Sequence, residues 1–226
     1  MARIAILTPD PAGDARPLAL TEGLVPLLTA ADHRPRPVRP EREDALDLAR
    51  TADLAVYQLG DAPAFAEVLR IAVLVPGLLL LHDLSLERLV SWMLGRGDPV
   101  AVRARREARA AAARLGERSP REPSQPLWPA YPARRARGLV VGSADAGDLL
   151  RAGGCHTPTW ISSMDAAGAP VVAEAVEATL ELIRDPVRGS IARWATALGE
   201  IGVSEEAAAR GLGVRLPRAL EGLVES

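Results

Sequence analysis

The residues best placed to do chemistry are His82 and Asp83, which end a run of four leucines, Leu78 to Leu81. An imidazole beside a carboxylate can orient and bind a ligand at neutral pH. The run is released by a turn at Pro76-Gly77 and reads as a short strand buried on both faces, as a central strand of a parallel sheet does. Beyond it, Leu84, Leu86, Leu89, Val90 and Met93 recur at helical spacing. Polar groups at such a strand-to-helix junction fall on the carboxyl edge of the sheet, where open α/β folds bind ligands. A plainer role competes: Asp83 or Ser85 as cap of the helix that follows. The pair also occurs in metal phosphohydrolases, but those need further histidines, and this chain has only His33, His82 and His156.

The elements that must position this pair follow in order. Ile4 to Leu7 reads as a first buried strand. Thr8 to Asp14 is a loop, and Leu18, Leu24, Val25, Leu27 and Leu28 mark a helix interrupted at Pro26. Gly13 in that loop is a candidate substrate contact through backbone amides at the helix start, although the loop is neither a dinucleotide fingerprint nor a phosphate loop. Arg34 to Pro40 alternates arginine with proline and fits an edge strand, since proline is excluded from a central ladder. A short charged helix is expected over 41–50. Leu54 to Gly60 is a second strong strand, followed by the turn Gly60-Asp61-Ala62-Pro63 and a helix to about Ala72.

Pro99 to Leu115 is alanine- and arginine-rich and reads as a helix whose Arg103, Arg106 and Arg109 form a solvated face. Ser119 to Pro132 holds five prolines with Trp128 and Tyr131, a crossing segment or docking surface. Gly138 to Val141 is another strand, and Gly142-Ser143 opens a helix with Ser143 as N-cap, closed by Gly153-Gly154. Thr157 to Ile161 fits a last strand. From Pro170 the pattern becomes helical throughout: Val172, Val176, Leu180 and Ile183 line one helix, with more expected over 191–198, 204–210 and 216–224. The alternation predicts an α/β fold, a Rossmann-like doubly wound parallel sheet over 1–169 with a C-terminal helical extension over 170–226 packed on it.

Composition narrows the function classes. The chain has 226 residues, 48% hydrophobic and 25% charged, as ordinary globular domains do. A net charge of −2 gives no general field toward nucleic acid or an anionic membrane. All 27 basic residues are arginine and asparagine is absent, which we read as coding bias. The single cysteine, Cys155, excludes an internal disulfide and fits a reducing cytoplasm. Cys155-His156 alone is too few ligands for zinc. No apolar run approaches the ~20 residues that span a bilayer. The start lacks a signal-peptide core, and the helical end reads as the close of a complete chain. The expectation is a cytoplasmic protein without metal, cofactor or membrane span.

Three segments in order resemble the N-terminal domain of the family 4 glycosyltransferases of the GT-B fold. Val56-Tyr57-Gln58-Leu59-Gly60 is similar to the family's "YQLGN" strand. Pro76-Gly77 with Leu80-Leu81-His82-Asp83 is similar to "PGVVVLHD", and Gly138 to Ser143 to "GVVVHS". The resemblance implies sugar transfer from a nucleotide-sugar donor to an acceptor hydroxyl. By match His82 would hold the transferred sugar, with Asp83 beside it as the second catalytic candidate. Gly60, Asp61, Gly142 and Ser143 would line the same edge for substrate. A neutral His82 there would donate a hydrogen bond to a sugar hydroxyl, its other nitrogen fixed by a neighbour.

The sequence also departs from the family. There is no room before the closing helices for a donor-binding domain. Asp61 stands for the family's asparagine, Phe65 for a histidine, and Gly142 for the histidine of "VVHS". Glu174 and Glu181 have a seven-residue spacing but lie on a solvated helix face. Two expectations follow. One is a non-catalytic or partner-dependent subunit that binds another protein, or a second copy, through the former cleft face. The alternative is the acceptor half of a split glycosyltransferase, with a nucleotide sugar and a sugar acceptor as ligands.

Overall fold

The computed structural model describes residues 1–9, 14–118 and 126–185. The helices expected over 191–198, 204–210 and 216–224, and Gly13, lie outside the described residues. The chain falls into two units, Met1–Glu181 and Leu182–Ser226. The first holds the sheet and most of the helix that the sequence grouped with the C-terminal extension.

Six parallel strands are β1 (Arg3–Leu7), β2 (Arg34–Val38), β3 (Leu54–Leu59), β4 (Leu78–Leu81), β5 (Gly138–Val141) and β6 (Thr159–Ile161), in the spatial order β2-β1-β3-β4-β5-β6. The helices are α1 (Arg16–Ala30), α2 (Ala45–Thr51), α3 (Ala66–Leu74), α4 (Glu87–Leu94), α5 (Pro99–Arg118), α6 (Ala130–Arg135), α7 (Ala144–Ala152) and α8 (Ala169–Arg184). This is the expected Rossmann-like doubly wound α/β fold. The proline-alternating β2 sits at the sheet edge, paired among the described residues to β1 alone, in keeping with its missing N–H groups.

Side chains alternate between the two faces of each strand. Ala5, Leu7, Tyr57, Leu59, Leu79, Leu81, Leu139 and Val141 pack with residues of α2 to α7 into one core. Ile4, Ile6, Val56, Leu78, Leu80 and Val140, buried on the other face, lie with Leu20, Leu24 and Leu28 of α1 and Val172, Val176 and Leu180 of α8. The seam there is tight. A Cβ on Gly138 of β5 would come 2.7 Å from the Thr179 hydroxyl of α8. One on Gly23 of α1 would come 3.1 Å from the Ala169 side chain. So α8 closes the face that α1 leaves open over β4 and β5.

The arginines before β5 serve the helices. Arg135 donates to Val73 O at 2.8 Å and Arg137 to Pro76 O at 3.2 Å, satisfying carbonyls at the end of α3. Arg134 donates to Gly153 O at 2.6 Å at the end of α7 and pairs with Glu107 at 2.8 Å. Arg103, Arg106 and Arg109 of α5 are exposed, and Ala101, Ala104, Ala108 and Ala111 form its buried face. Trp128 and Tyr131, half-buried, pack against the core. Glu174 and Glu181 are exposed.

Candidate functional site at the carboxyl edge

The chain leaves β1 for β2 on one side, and the sheet continues from β1 to β3 on the other. The switch point therefore lies between β1 and β3, and the crevice beyond their carboxyl ends is where such sheets take ligands. Thr8 follows β1, Gln58 is next to last in β3, and His82 follows β4. The register pairs Leu59 with Leu81 and Leu81 with Val141, so Gly60, His82 and Gly142 stand in a row across the sheet.

His82 is buried, 8% exposed, and its backbone N–H extends the ladder to Leu59 O at 2.9 Å. Its ring is held by Gln58, a fully buried amide. Gln58 Nε2 lies 2.9 Å from Pro17 O, 2.7 Å from Thr21 Oγ1 and 2.9 Å from Thr8 Oγ1. A proline carbonyl can only accept, so the amide nitrogen faces it and Oε1 must face His82, at 2.9 Å from Nε2. That oxygen also only accepts, so the His82 proton sits on Nε2. Nδ1 is then a bare lone pair, buried and without a hydrogen-bond partner among the described residues. The two threonine hydroxyls, 2.7 Å apart, complete the network from β1 to α1.

Burial, and then the positive charge of Arg16, push the His82 pKa down to about 4 against the opposing pull of Asp14 and Asp83. The imidazole is neutral at pH 7. The sequence expectation had the fixed nitrogen on one side and a donor on the other, and the geometry reverses the roles. The fixed nitrogen donates, to Gln58, and the free one can only accept. It is an acceptor closed to solvent in this structure, and a group with so low a pKa is a poor general base at neutral pH.

Asp83 is half-exposed and turned to the loop at the end of β3. Its Oδ2 accepts the Asp61 N–H at 3.2 Å, and its Oδ1 lies 3.7 Å from Arg16 Nη2. Arg16 itself grips Asp14 through two bonds, 3.0 and 2.8 Å, which holds the Asp14 carboxyl below its ordinary range. Neither Asp83 nor Ser85 gives α4 its principal cap. That role falls to Asp61, whose Oδ1 accepts the Leu89 N–H at 3.0 Å from a loop 28 positions away. Ser85 donates to Asp61 at 3.3 Å and only grazes Glu87 N at 3.5 Å.

Among the glycines, Gly60 is required by packing: a Cβ would meet the buried Phe65 ring at 2.9 Å and Asp83 Oδ2 at 3.1 Å. Gly142 opens onto free space, and Ser143 caps α7 by accepting the Ala146 N–H at 3.2 Å. Both are exposed on the carboxyl edge of β5. Gly13 is not among the described residues. Among those described, no three His, Cys, Asp or Glu side chains converge as a metal set. Cys155 is buried, which raises its thiol pKa, and points its Sγ to Thr157 Oγ1 at 3.7 Å.

Sequence reasoning passed over Gln58, Thr8, Thr21 and Arg16. Gln58 did leave a signal, as the one amide in an otherwise apolar-aromatic strand, where burial demands partners. Thr8, Thr21 and Arg16 left none, because only the fold brings α1 over β3. Comparison with protein families, curated proteins and solved structures gave no match to this chain. No described helix is long and apolar enough to cross a membrane.

Proposed function

We propose that this chain is a glycosyltransferase-like, partner-dependent subunit that binds a hydroxyl-bearing ligand, a sugar, at the carboxyl edge beside His82. The observation that carries the reading is the buried, unprotonated Nδ1 of His82, unpartnered among the described residues, at the carboxyl end of β4, one strand over from the switch point. A buried acceptor left unpaired costs about 1–3 kcal/mol, and a ligand hydroxyl donated to it recovers that loss. The order of the three motif-like segments adds the sugar to the hydroxyl. Because His82 stays neutral, its part is to hold and orient, and any transfer takes place with a donor supplied by another chain. Leu18, 54% exposed at the start of α1 on this edge, offers such a chain an apolar contact.

The test is nitrogen NMR of the His82 ring in the full chain during titration with glucose, mannose, UDP-glucose and GDP-mannose. A saturable upfield move of Nδ1, the sign of an accepted hydrogen bond, supports the proposal. An Nδ1 resonance that none of the four moves at tens of millimolar ends it.

A further inference from the structure

At the opposite, amino edge of the sheet, β1, β2 and the last turn of α2 enclose a groove of about 450 Å³. It is lined by Arg3, Arg34 and Arg36, with Leu48, Ala52 and Pro35 as its less polar wall. The volume is within the range of small-molecule sites.

The charges here are poorly compensated. Arg3 and Arg34 are directly opposite in the β1–β2 register, and Arg36 follows two residues on, opposite Ala5. Like charges set opposite each other across strands repel. Arg3 has some relief from Asp53, whose Oδ2 accepts the Arg3 N–H at 2.7 Å and lies 3.7 Å from its Nε. Arg34 and Arg36 have no carboxylate in ion-pair range among the described residues. Asp44 is the carboxylate on which Arg36 acts at longer range, and Arg42 already holds it at 2.8 and 3.0 Å. Clustered guanidinium groups, two of the three without a carboxylate partner among the described residues, match the oxygens of a phosphate, which they can grip two bonds at a time.

The prolines decide against a peptide strand as occupant. Arg34 N donates to Ala2 O at 2.8 Å and Val38 O accepts from Thr8 N at 3.0 Å, so residues 34, 36 and 38 turn their backbone groups to β1. Those of Pro35 and Pro37 face outward, and proline has no N–H to give. An added strand would find acceptors but no donors.

We propose that this groove binds a phosphate-bearing small molecule, its oxygens on Arg3, Arg34 and Arg36 and its organic part against Leu48, Ala52 and Pro35. The site is separate from the His82 edge and does not depend on the sugar reading. Calorimetry on the full chain at low salt, with inorganic pyrophosphate and with ADP, tests it. At least one probe is expected to bind with Kd below about 1 mM. The double variant Arg34→Gln/Arg36→Gln should weaken that binding at least about ten-fold, while Arg105→Gln/Arg109→Gln, on exposed α5 positions, leaves it unchanged. Absence of binding by both probes overturns the proposal. So does equal binding by the Arg34/Arg36 variant and the wild type, or equal weakening by the α5 pair.

Discussion

His33 and His82 are equally buried, at 8% exposure each, yet they occupy opposite conditions. His33 stands between α1 and β2. Its Nδ1 accepts the Ala2 N–H at 3.1 Å and its Nε2 bonds the Glu177 carboxylate of α8. Both nitrogens are spoken for, and the ring ties the start of β1 to α8. His82 has one nitrogen bonded to Gln58 and the other with no hydrogen-bond partner among the described residues. Two equally buried histidines can thus differ in whether both ring nitrogens are satisfied; His156 Nδ1 is a second buried ring nitrogen without a hydrogen bond among the described residues. A fold gains nothing from an orphaned lone pair, which is what makes His82 the position to test for a ligand.

That contrast can be broken at its strongest point first. Gln58→Leu removes the amide joining β3, α1 and His82, and it frees the proton that fixes the His82 tautomer. We expect a loss of about 4 kcal/mol in urea unfolding, since several buried polar groups lose partners together. A loss under about 1 kcal/mol would mean that the network does not set the state of His82.

Next in size is the pH response of His82. The unfolded imidazole takes its proton near the ordinary 6.5 and the folded one only near 4. Between these values the unfolded chain binds more protons, so stability falls as the pH drops from 6.5 to about 4. Above 6.5 His82 has no effect. The full difference is on the order of 3 kcal/mol. Urea midpoints taken from pH 7.5 to 4.5 should therefore slope more steeply in the wild type than in His82→Leu. Parallel slopes would show that the folded His82 is not held neutral.

The smallest effect sharpens the comparison directly. His33→Leu strands the buried Ala2 N–H, while His82→Leu strands Gln58 Oε1 but also removes the orphaned Nδ1. His33→Leu should cost more, by about 1 kcal/mol, in matched unfolding curves at pH 7.5. The reverse order would argue that Nδ1 has a partner after all.

Much of the fold was legible because its signals are local. The four-leucine run, the strand at Leu54 and the Val140 strand each declare burial on both faces, and Pro35 and Pro37 declare an edge. Ser143 as N-cap and Gly153 as C-cap of α7 follow from residues three or four positions apart. The candidate site was legible in part. His82 could be placed on the carboxyl edge from its own neighbours, but Asp83 and Asp61 could not be assigned roles, since each acts across a gap of more than twenty residues. Asp61 in particular looked like an edge-lining group and is the cap of α4.

By itself the sequence determined the order of the strands and of every described helix but α6, whose start falls in a segment that reads as irregular and proline-rich. It also determined the edge position of β2 and the strand end on which His82 falls. Periodicity, proline and chain direction fix these without reference to distant residues. Only the tertiary structure decided which His82 nitrogen is free, because that depends on Gln58, whose orientation depends in turn on Pro17 O in a different element. It alone decided that Arg3 and Arg34 face each other across a strand pair, with only Arg3 partly relieved by Asp53. Hydrogen-bond direction and charge balance are properties of neighbours in space, and here those neighbours, Gln58 with Thr8 and Arg3 with Asp53, stand 50 positions apart in the chain.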